Sequence, residues 1–483
     1  MRWSRLIAAC GIALPLALGA RAPQTDASPY VADPDPLVRQ KIDEWQDLKL
    51  GLLMHWGTYS QWGIVESWSL CAEDEDWCRR KGPFADNYTA YKQAYEALQT
   101  TFNPVKFDPE RWAKAAKDAG MGYVVFTTKH HDGFNMFDTQ QSDYRITSPK
   151  TPFSTNPRAD VTREIFNAFR AQGFKVGAYF SKPDWHTPDY WWPNFATPDR
   201  NPNYDLKKYP ERWTRFVDFT HAQIDELMSR YGKVDILWLD GGWVKTMTPQ
   251  EIKAEIDSPD YKFARVQSQD IDMPRLVAEA RAKQPGLIVV DRAVPGPYQN
   301  YLTPENRVPD KMLPYPWEVP LTMARSWSYV PNDTYKSAHV LIQTLVDVVA
   351  KGGNLLLNIG PGPDGAWHDA AYDRLQALGA WMSANSTAIY ATRPMAPYVD
   401  GPIRFTRAKD GTVYAIYLPA TTETTLPRDV AIAWSPAPGA VISLLGTDRP
   451  ITWEPASKGM VVHIPAGLAP PNADAWVFRV SAR

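Results

Sequence analysis

Cysteine is scarce in this chain of 483 residues, which has three, and only Cys71 and Cys78 lie beyond the N-terminal segment. Two cysteines without a nearby histidine make a poor ligand set for a metal ion, so a cysteine-based metal centre is not expected. In an oxidising compartment the short loop between them can close as a disulfide, and we expect this bridge. Its entropic contribution should lie below the roughly 3 kcal/mol estimated for a loop of about 15 residues.

Long apolar stretches and blocks of like charge are also missing. After the N-terminal segment no run approaches the roughly 18 apolar residues of a membrane-spanning helix, so we expect a soluble mature chain. The net charge is −2, and there is no basic tract. This composition argues against nucleic acid or an anionic membrane as a partner. The oligomeric state is left open, and a homo-oligomer is compatible with the sequence.

Residues 1–22 have the features of a secretory signal peptide. Arg2 and Arg5 precede an apolar stretch, and Ala20-Arg21-Ala22 supplies a small-x-small cleavage site. We therefore expect this segment to be removed and the protein to be exported to the periplasm or the extracellular space.

Aromatic residues are abundant, with 20 Trp and 23 Tyr. Such numbers suit either a large core with many anchoring rings or a site for sugars, whose C–H faces stack on aromatic rings. Composition alone leaves both interpretations open.

From about residue 35 the chain alternates continuous apolar stretches with amphipathic segments, which predicts a parallel sheet covered by helices on both faces. The predicted strands are 49–56, 123–131, 175–181, 234–240, 286–292 and 354–360. The predicted helices are 109–120, 161–172, 209–231, 271–283, 336–351 and 367–385. The α/β pattern over residues 30–390 favours a (β/α)-type barrel with long loops, and a doubly wound sheet is the alternative.

The pattern changes near residue 395. Apolar and polar residues alternate around the turn at Asp410-Gly411, and further short strands follow at regular spacing. We expect residues 395–483 to form an all-β sandwich domain that supplies no catalytic carboxylate.

Polar side chains follow the predicted barrel strands at the point where each strand ends, which is where barrels carry their chemistry. These residues are His55, His130, His131, Asp132, Asp184, Asp240, Asp291, Arg292 and Asn358. A single histidine at a strand end is more often structural than functional. Together, however, convergent polar groups with nearby indoles predict a pocket for a neutral polyol.

Several motifs, in this order, resemble those of the α-L-fucosidases of glycoside hydrolase family 29. They are GLLMHWGTYS, TTKHHDGF, ILWLDGGW, VVDR, a TPE segment, SWSY and VAKGGNLLLNIGPGPDG, and they extend over nearly all of the mature chain. The resemblance implies a catalytic barrel followed by a β-sandwich. It also implies an exo-acting, retaining hydrolase that takes fucosylated glycans and needs no cofactor.

The resemblance assigns the two carboxylates of a retaining mechanism. Asp240 in ILWLDGGW would be the nucleophile, and a carboxylate at a strand end can form a glycosyl ester. Glu305 in YLTPEN is the preferred acid/base, because its segment resembles the acid/base loop of the family. Glu318 in YPWEVP is the alternative, although it could instead orient a neighbour or line the leaving-group side.

The resemblance also implies a set of sugar-binding residues. His55, His130 and His131 would contact the fucose hydroxyls together with Tyr179 and Arg292, because an imidazole can donate at one nitrogen and accept at the other. The candidates for an apolar patch around the fucose methyl group are Trp243, Trp317 and Phe134.

Two departures from the family pattern leave positions open. Where the family often has a Glu-Trp pair, this chain has Glu66-Ser67-Trp68, so either Glu66 or Ser67 could take the role of the glutamate beside Trp68. In the third predicted strand, a shift of the alignment by one residue would put Phe180, whose ring has no hydroxyl, at the position that Tyr179 otherwise takes.

Two other functions compete with a fucosidase. The first is a metal-dependent hydrolase that uses the histidines and Asp240, but adjacent histidines rarely chelate one ion and no HxH or HExxH is present. The second is an inactive sugar-binding barrel, against which the presence of both Asp240 and Glu305 argues.

Overall fold

The computed structural model describes residues 30–71, 78–195, 197, 199–259, 265–447 and 449–481. The predicted signal peptide lies outside the described residues. Among those residues, no helix is long and apolar enough to cross a membrane.

A parallel sheet of seven strands forms the first part of the chain. Its strands are β1 (Leu50–Met54), β2 (Tyr123–Lys129), β3 (Lys175–Ser181), β4 (Ile236–Asp240), β5 (Ile288–Asp291), β6 (Glu318–Thr322) and β7 (Asn354–Asn358). Their order is β5-β4-β3-β2-β1-β7-β6, and every neighbouring pair is parallel. The sheet is curled into a barrel-like form, which confirms the predicted fold class. Within the described strands, β5 and β6 do not pair with each other, so the barrel has a seam there. Residues 298–302 fill this seam and form backbone hydrogen bonds to both sides.

Helices cover this sheet. They are α1 (Pro36–Leu48), α2 (Tyr88–Glu96), α3 (Pro109–Asp118), α4 (Val161–Ala171), α5 (Pro210–Arg230), α6 (Pro249–Ile256), α7 (Met273–Lys283), α8 (Ala338–Ala350) and α9 (Asp369–Asn385). Asp108, Asp160 and Ser337 cap the starts of α3, α4 and α8 through their side chains, which satisfies backbone N–H groups that have no partner within the helix. With helices outside and packed side chains inside, β1, β2 and β4 are buried along their whole length.

All the predicted barrel strands and helices are present, whereas β6 and helices α1, α2 and α6 were not predicted. Strand β6 contains Pro320, which lacks an N–H group and usually argues against a strand. Here β6 lies at the edge of the sheet, where a residue can lack a donor on its unpaired side without breaking the ladder.

The second sheet has eight antiparallel strands. They are β8 (Arg393–Asp400), β9 (Ile403–Arg407), β10 (Val413–Tyr417), β11 (Asp429–Ile432), β12 (Val441–Leu444), β13 (Pro450–Ala456), β14 (Gly459–His463) and β15 (Trp476–Ser481). Side chains from both halves of this sheet, among them Phe405, Ile432, Met460 and Phe478, form a core of their own, as expected for a sandwich. Strands β8 and β13 were not predicted, and each contains prolines.

The sandwich packs against the outer helices of the barrel. The indole N–H of Trp381 in α9 donates to the carbonyl of Ala475 at 3.1 Å, and Arg404 in β9 pairs with Asp347 in α8. The contact therefore lies on the helical layer.

Cys71 and Cys78 are both buried, and the structure has them as thiols. The disulfide predicted from the sequence is therefore not formed in this structure. Residues 72–77 between them lie outside the described part of the chain.

Gly379 marks a close approach of two helices. A Cβ atom at this position in α9 would lie 2.3 Å from the carbonyl oxygen of Asp118 at the end of α3. We expect Gly379→Ala to destabilise the protein by about 1–3 kcal/mol, the usual cost of overpacking. In an exposed helix, by contrast, replacing glycine with alanine increases the free energy of unfolding by about 1 kcal/mol. Denaturant unfolding checks this, with Ala380→Gly at the exposed next position as the control for helix propensity. Stabilisation by Gly379→Ala would contradict the close approach.

Candidate active site

The polar residues predicted at the strand ends meet at the carboxyl edge of the parallel sheet. His55 follows β1, His130 and His131 follow β2, Asp240 ends β4, and Arg292 follows β5. In a barrel, these strand ends surround one cavity, so residues far apart in sequence become neighbours.

Asp240 is at the centre of this group. The phenol of Tyr179 donates to its Oδ2 at 2.7 Å, and Nη1 of Arg292 donates to its Oδ1 at 2.8 Å. His131 Nε2 lies 3.9 Å from Oδ2. Burial alone would raise the pKa of Asp240, but the Arg292 charge and these other contacts outweigh it and hold the pKa well below the ordinary range. Asp240 is therefore a buried but ionised carboxylate.

Arg292 joins the two candidate catalytic carboxylates. Its Nη2 contacts Oε2 of Glu305, while its Nη1 holds Asp240. The Glu305 side chain keeps 26% of its surface exposed, whereas that of Asp240 keeps 12%. One guanidinium thus places an enclosed carboxylate and a more open one in the same cavity.

The adjacent histidines both lie in the cavity because β2 has already ended. The strand stops at Lys129, and the chain turns through Gly133, whose φ of 79° favours glycine. As a result, the rings of His130 and His131 have their centroids 4.1 Å apart instead of pointing to opposite faces.

Each of the three imidazoles is fixed through its Nδ1 atom. His55 contacts Oδ1 of Asn358 at 2.9 Å, His130 contacts Oγ of Ser67 at 2.5 Å, and His131 contacts Oγ of Ser181 at 2.8 Å. Burial lowers the pKa of His55 to about 4 and that of His131 to about 3, and it also holds the pKa of His130 well below its usual value. The imidazoles are therefore neutral near pH 7.

Glu66 and Ser67 have separate contacts. Ser67 bonds His130 and accepts from the backbone N–H of Asp132 at 3.0 Å. Glu66 is buried, and its Oε1 accepts from the backbone N–H of Ser328 at 2.9 Å. Burial raises the pKa of Glu66 to about 8, so this carboxyl is neutral at neutral pH.

Indoles line the side of the cavity next to His131. Trp68 lies 5.1 Å and Trp243 lies 5.2 Å from the His131 ring, measured between centroids. The Arg200 guanidinium stacks over both indoles, at 4.9 Å from Trp68 and 5.1 Å from Trp243. Arg200 was not predicted, because its long loop has no pattern that points to the site.

Four residues named in the sequence analysis are not brought to Asp240. Glu318 is the first residue of β6, at the opposite end of the barrel, and Trp317 packs there against Gly353. Phe134 packs between Phe102 and Tyr144, in the core. Phe180 lies under the ammonium group of Lys129, so Tyr179 is the ring that reaches Asp240.

Two further tryptophans contact the site and were missed. The Trp238 ring stacks on Tyr179 with centroids 5.2 Å apart, and the Trp327 ring lies 5.3 Å from that of His55. Trp238 precedes Asp240 by two residues in one strand, so both side chains lie on the same face. This spacing is visible in the sequence and could have identified Trp238 as a site residue. Trp327 belongs to the SWSY motif.

One group of described residues could in principle hold a metal ion. Ligand atoms of His130, His131 and Asp240 all lie within 4.8 Å of one another. Nη1 of Arg292 lies 2.8 Å from Oδ1 of Asp240, so its positive charge would repel a metal cation bound at this position.

A pair of carboxylates at the mouth of a barrel, with hydrogen-bonding side chains and indoles around it, is the arrangement of a glycoside hydrolase. Comparison with known proteins agrees with this class. The chain matches the family model for alpha-L-fucosidase over residues 17–387 and the model for the alpha-L-fucosidase C-terminal domain over residues 397–481. The chain therefore belongs to the alpha-L-fucosidase family, and its activity is that of this class of glycoside hydrolase.

Individual relatives are similar along almost their whole length. The tissue alpha-L-fucosidase of Bos taurus is 27% identical over 480 residues, which cover 95% of this chain and 92% of the bovine protein. Alpha-L-fucosidase isoenzyme 1 from Paenibacillus thiaminolyticus is 29% identical, with a TM-score of 0.73 and coverage of 92% and 99%. The Thermotoga maritima alpha-fucosidase solved in complex with fucose is 26% identical, with a TM-score of 0.69 and coverage of 93% and 100%.

The contact between Arg292 and Asp240 predicts a pH effect. Arg292→Met removes the cation that keeps Asp240 ionised, so the pKa of Asp240 should rise. The acid limb of the kcat/KM profile should therefore move to higher pH. Arg292→Lys retains a positive charge and should shift the limb less. An unchanged acid limb in Arg292→Met would contradict the assigned electrostatics.

Proposed function

We propose that the protein is an exported, exo-acting α-L-fucosidase that releases terminal L-fucose from fucosylated oligosaccharides or glycoconjugates with retention of configuration. The observation that carries the retaining mechanism is the single guanidinium of Arg292, which holds Asp240 and Glu305 in one cavity. Retaining enzymes need two carboxyl groups close together, with one as nucleophile and the other as acid and then base.

In the first step, Asp240 attacks the anomeric carbon while Glu305 protonates the leaving oxygen. Asp240 suits the nucleophile role because it is ionised, enclosed and oriented by two donors. Glu305 suits the acid role because it is more exposed, on the side where a leaving group and water must pass. In the second step, Glu305 takes a proton from water, which breaks the β-linked ester on Asp240 and gives α-L-fucose.

The neutral imidazoles of His55, His130 and His131 bind the fucose hydroxyls in this proposal. Each has its Nδ1 atom engaged by a neighbouring side chain, which leaves Nε2 for a ligand. A neutral pocket suits a neutral sugar, and binding of fucose by the Thermotoga maritima relative supports the choice of sugar. Trp243 and Trp68 supply apolar surface beside the same cavity.

Glu305 is preferred to Glu318 as the acid/base because of where their carboxyl groups lie. Glu318 is fully buried, and the Tyr123 phenol and the Trp238 indole occupy its two oxygens. Such a group has no path to a leaving oxygen near Asp240.

Azide rescue distinguishes the two carboxylate roles. In Glu305→Ala the ester still forms from an aryl fucoside, whose leaving group needs little protonation, and azide can then displace Asp240 without a general base. We expect faster turnover with azide and α-fucosyl azide as the product. In Asp240→Gly azide attacks the substrate directly, so the product should be β-fucosyl azide. The anomeric configuration is read by NMR.

The matched control is Glu318→Ala, which azide should not rescue. Rescue of Glu318→Ala with Glu305→Ala unaffected would make Glu318 the acid/base. If activity were lost on chelation and restored by a metal ion, the metal-dependent hydrolase would replace the two-carboxylate mechanism. A wild-type protein that binds fucose without cleaving any aryl fucoside would instead be a sugar-binding barrel.

Export is the part of this proposal that depends on residues 1–22. Two arginines, an apolar stretch and the Ala20-Arg21-Ala22 site support removal of this segment. We expect the mature chain to begin at Pro23 and to accumulate outside the cytoplasm. Mass spectrometry of the fractionated native protein checks both points, and an intact Met1 in the cytoplasmic fraction would contradict them.

A further inference from the structure

Glu318 is a buried carboxyl group that the proposed mechanism does not use. It is the first residue of β6 and is fully buried. Its Oε2 accepts from the phenol of Tyr123 in β2 at 2.6 Å, and its Oε1 accepts from the indole N–H of Trp238 in β4 at 3.2 Å. Side chains from β6, β2 and β4, which are not neighbours in the sheet, thus meet in the barrel interior.

The bond from Glu318 to Trp238 crosses the interior of an incompletely paired barrel. Strand β6 is one edge of the sheet, and β4 is next to the other edge, β5. Residues 298–302 join β5 and β6 through the backbone, and the contact between Glu318 and Trp238 adds a side-chain link between the two sides of the seam from inside.

Trp238 carries this contact upward to the nucleophile. Its ring stacks on Tyr179 at an interplanar angle of 20°, and the Arg292 guanidinium lies 5.6 Å from the centroid of the same ring. Tyr179 and Arg292 are the two residues that donate hydrogen bonds to Asp240. The orientation of one indole therefore supports both of these donors.

A carboxyl group is an unusual choice for a packing role at this depth. Burial raises the pKa of Glu318 to about 7, which reflects the cost of its charged form. Replacing a buried polar group and its partners by apolar side chains is often neutral for stability. What an apolar side chain cannot do is accept a hydrogen bond from the indole and so fix its rotation.

We propose that Glu318 is a positioning residue for the glycosidase reaction: by holding Trp238 it sets the orientation of Tyr179 and Arg292, and through them that of Asp240. The inference rests on the proposed role of Asp240 as nucleophile. It assigns Glu318 no contact with substrate and no proton transfer.

The test compares three variants by steady-state kinetics on an aryl fucoside and by thermal unfolding. Glu318→Leu keeps approximate size but loses the acceptor for Trp238, so kcat should fall by about ten- to a hundredfold, the usual effect of a slightly misplaced catalytic group. KM should change less than kcat, since the sugar-binding imidazoles do not contact Trp238. Glu318→Gln retains an acceptor oxygen and should restore most of kcat.

Tyr123→Phe is the matched control. It removes the other hydrogen bond to Glu318 and leaves the one to Trp238, so it should lower the melting temperature while kcat stays within about twofold of wild type. If Glu318→Leu does not fold, Trp238→Phe removes the donor from the other side and should lower kcat in the same way. When both variants fold, the double variant should show no further loss beyond the larger single effect.

Three outcomes would overturn the inference. They are a wild-type kcat in Glu318→Leu, an equal loss of kcat in Tyr123→Phe, or a Glu318→Gln variant as slow as Glu318→Leu. Failure of the proposed function would appear elsewhere, as the absence of β-fucosyl azide from Asp240→Gly. If Glu318→Leu has the kcat of the wild type and Asp240→Gly still gives β-fucosyl azide, Asp240 remains the nucleophile and only the positioning role of Glu318 is removed.

Discussion

The ion pairs of Arg292 are the interaction on which the site depends. A carboxylate buried as deeply as Asp240 would normally become neutral, and a neutral acid is a poor nucleophile. The guanidinium keeps it charged, and its second arm places Glu305 in the same cavity. The surrounding groups agree with this arrangement. The three imidazoles and Glu66 are neutral near pH 7, so within this pocket Asp240 and Arg292 form the central charged pair.

The sequence predicted this centre well because strand ends in a parallel sheet converge. Asp240, Arg292 and His55 each follow a continuous apolar stretch, and the fold brings such positions together whatever their separation along the chain. Trp317 and Glu318 were misplaced for a related reason. Their strand contains Pro320, so the sequence pattern does not predict it, and both residues lie where this strand begins, at the opposite end of the barrel from Asp240.

Side-chain partners were harder to predict than the residues that they hold. Ser67, Ser181 and Asn358 fix the three imidazoles, yet a serine or asparagine at a strand end has no distinctive pattern. The turn after Lys129 is an intermediate case. In a continuing strand His130 and His131 would point to opposite faces, and only a strand end at Lys129, with Gly133 in the following turn, allows both rings into the cavity.

The seam between β5 and β6 has an evolutionary consequence. Asp240, the proposed nucleophile, belongs to a strand paired on both sides, so an insertion or deletion near it would shift the register of its neighbours. Glu305 belongs to the connection between β5 and β6. Residues 298–302 of this connection hydrogen-bond to both strands, so chain length can change most easily in the loop of residues 307–315, which follows Glu305. A barrel of this kind can lengthen or shorten that loop, next to Glu305, while the strand ends around Asp240 stay constant. Diversification of the accepted glycans is therefore easiest at this seam.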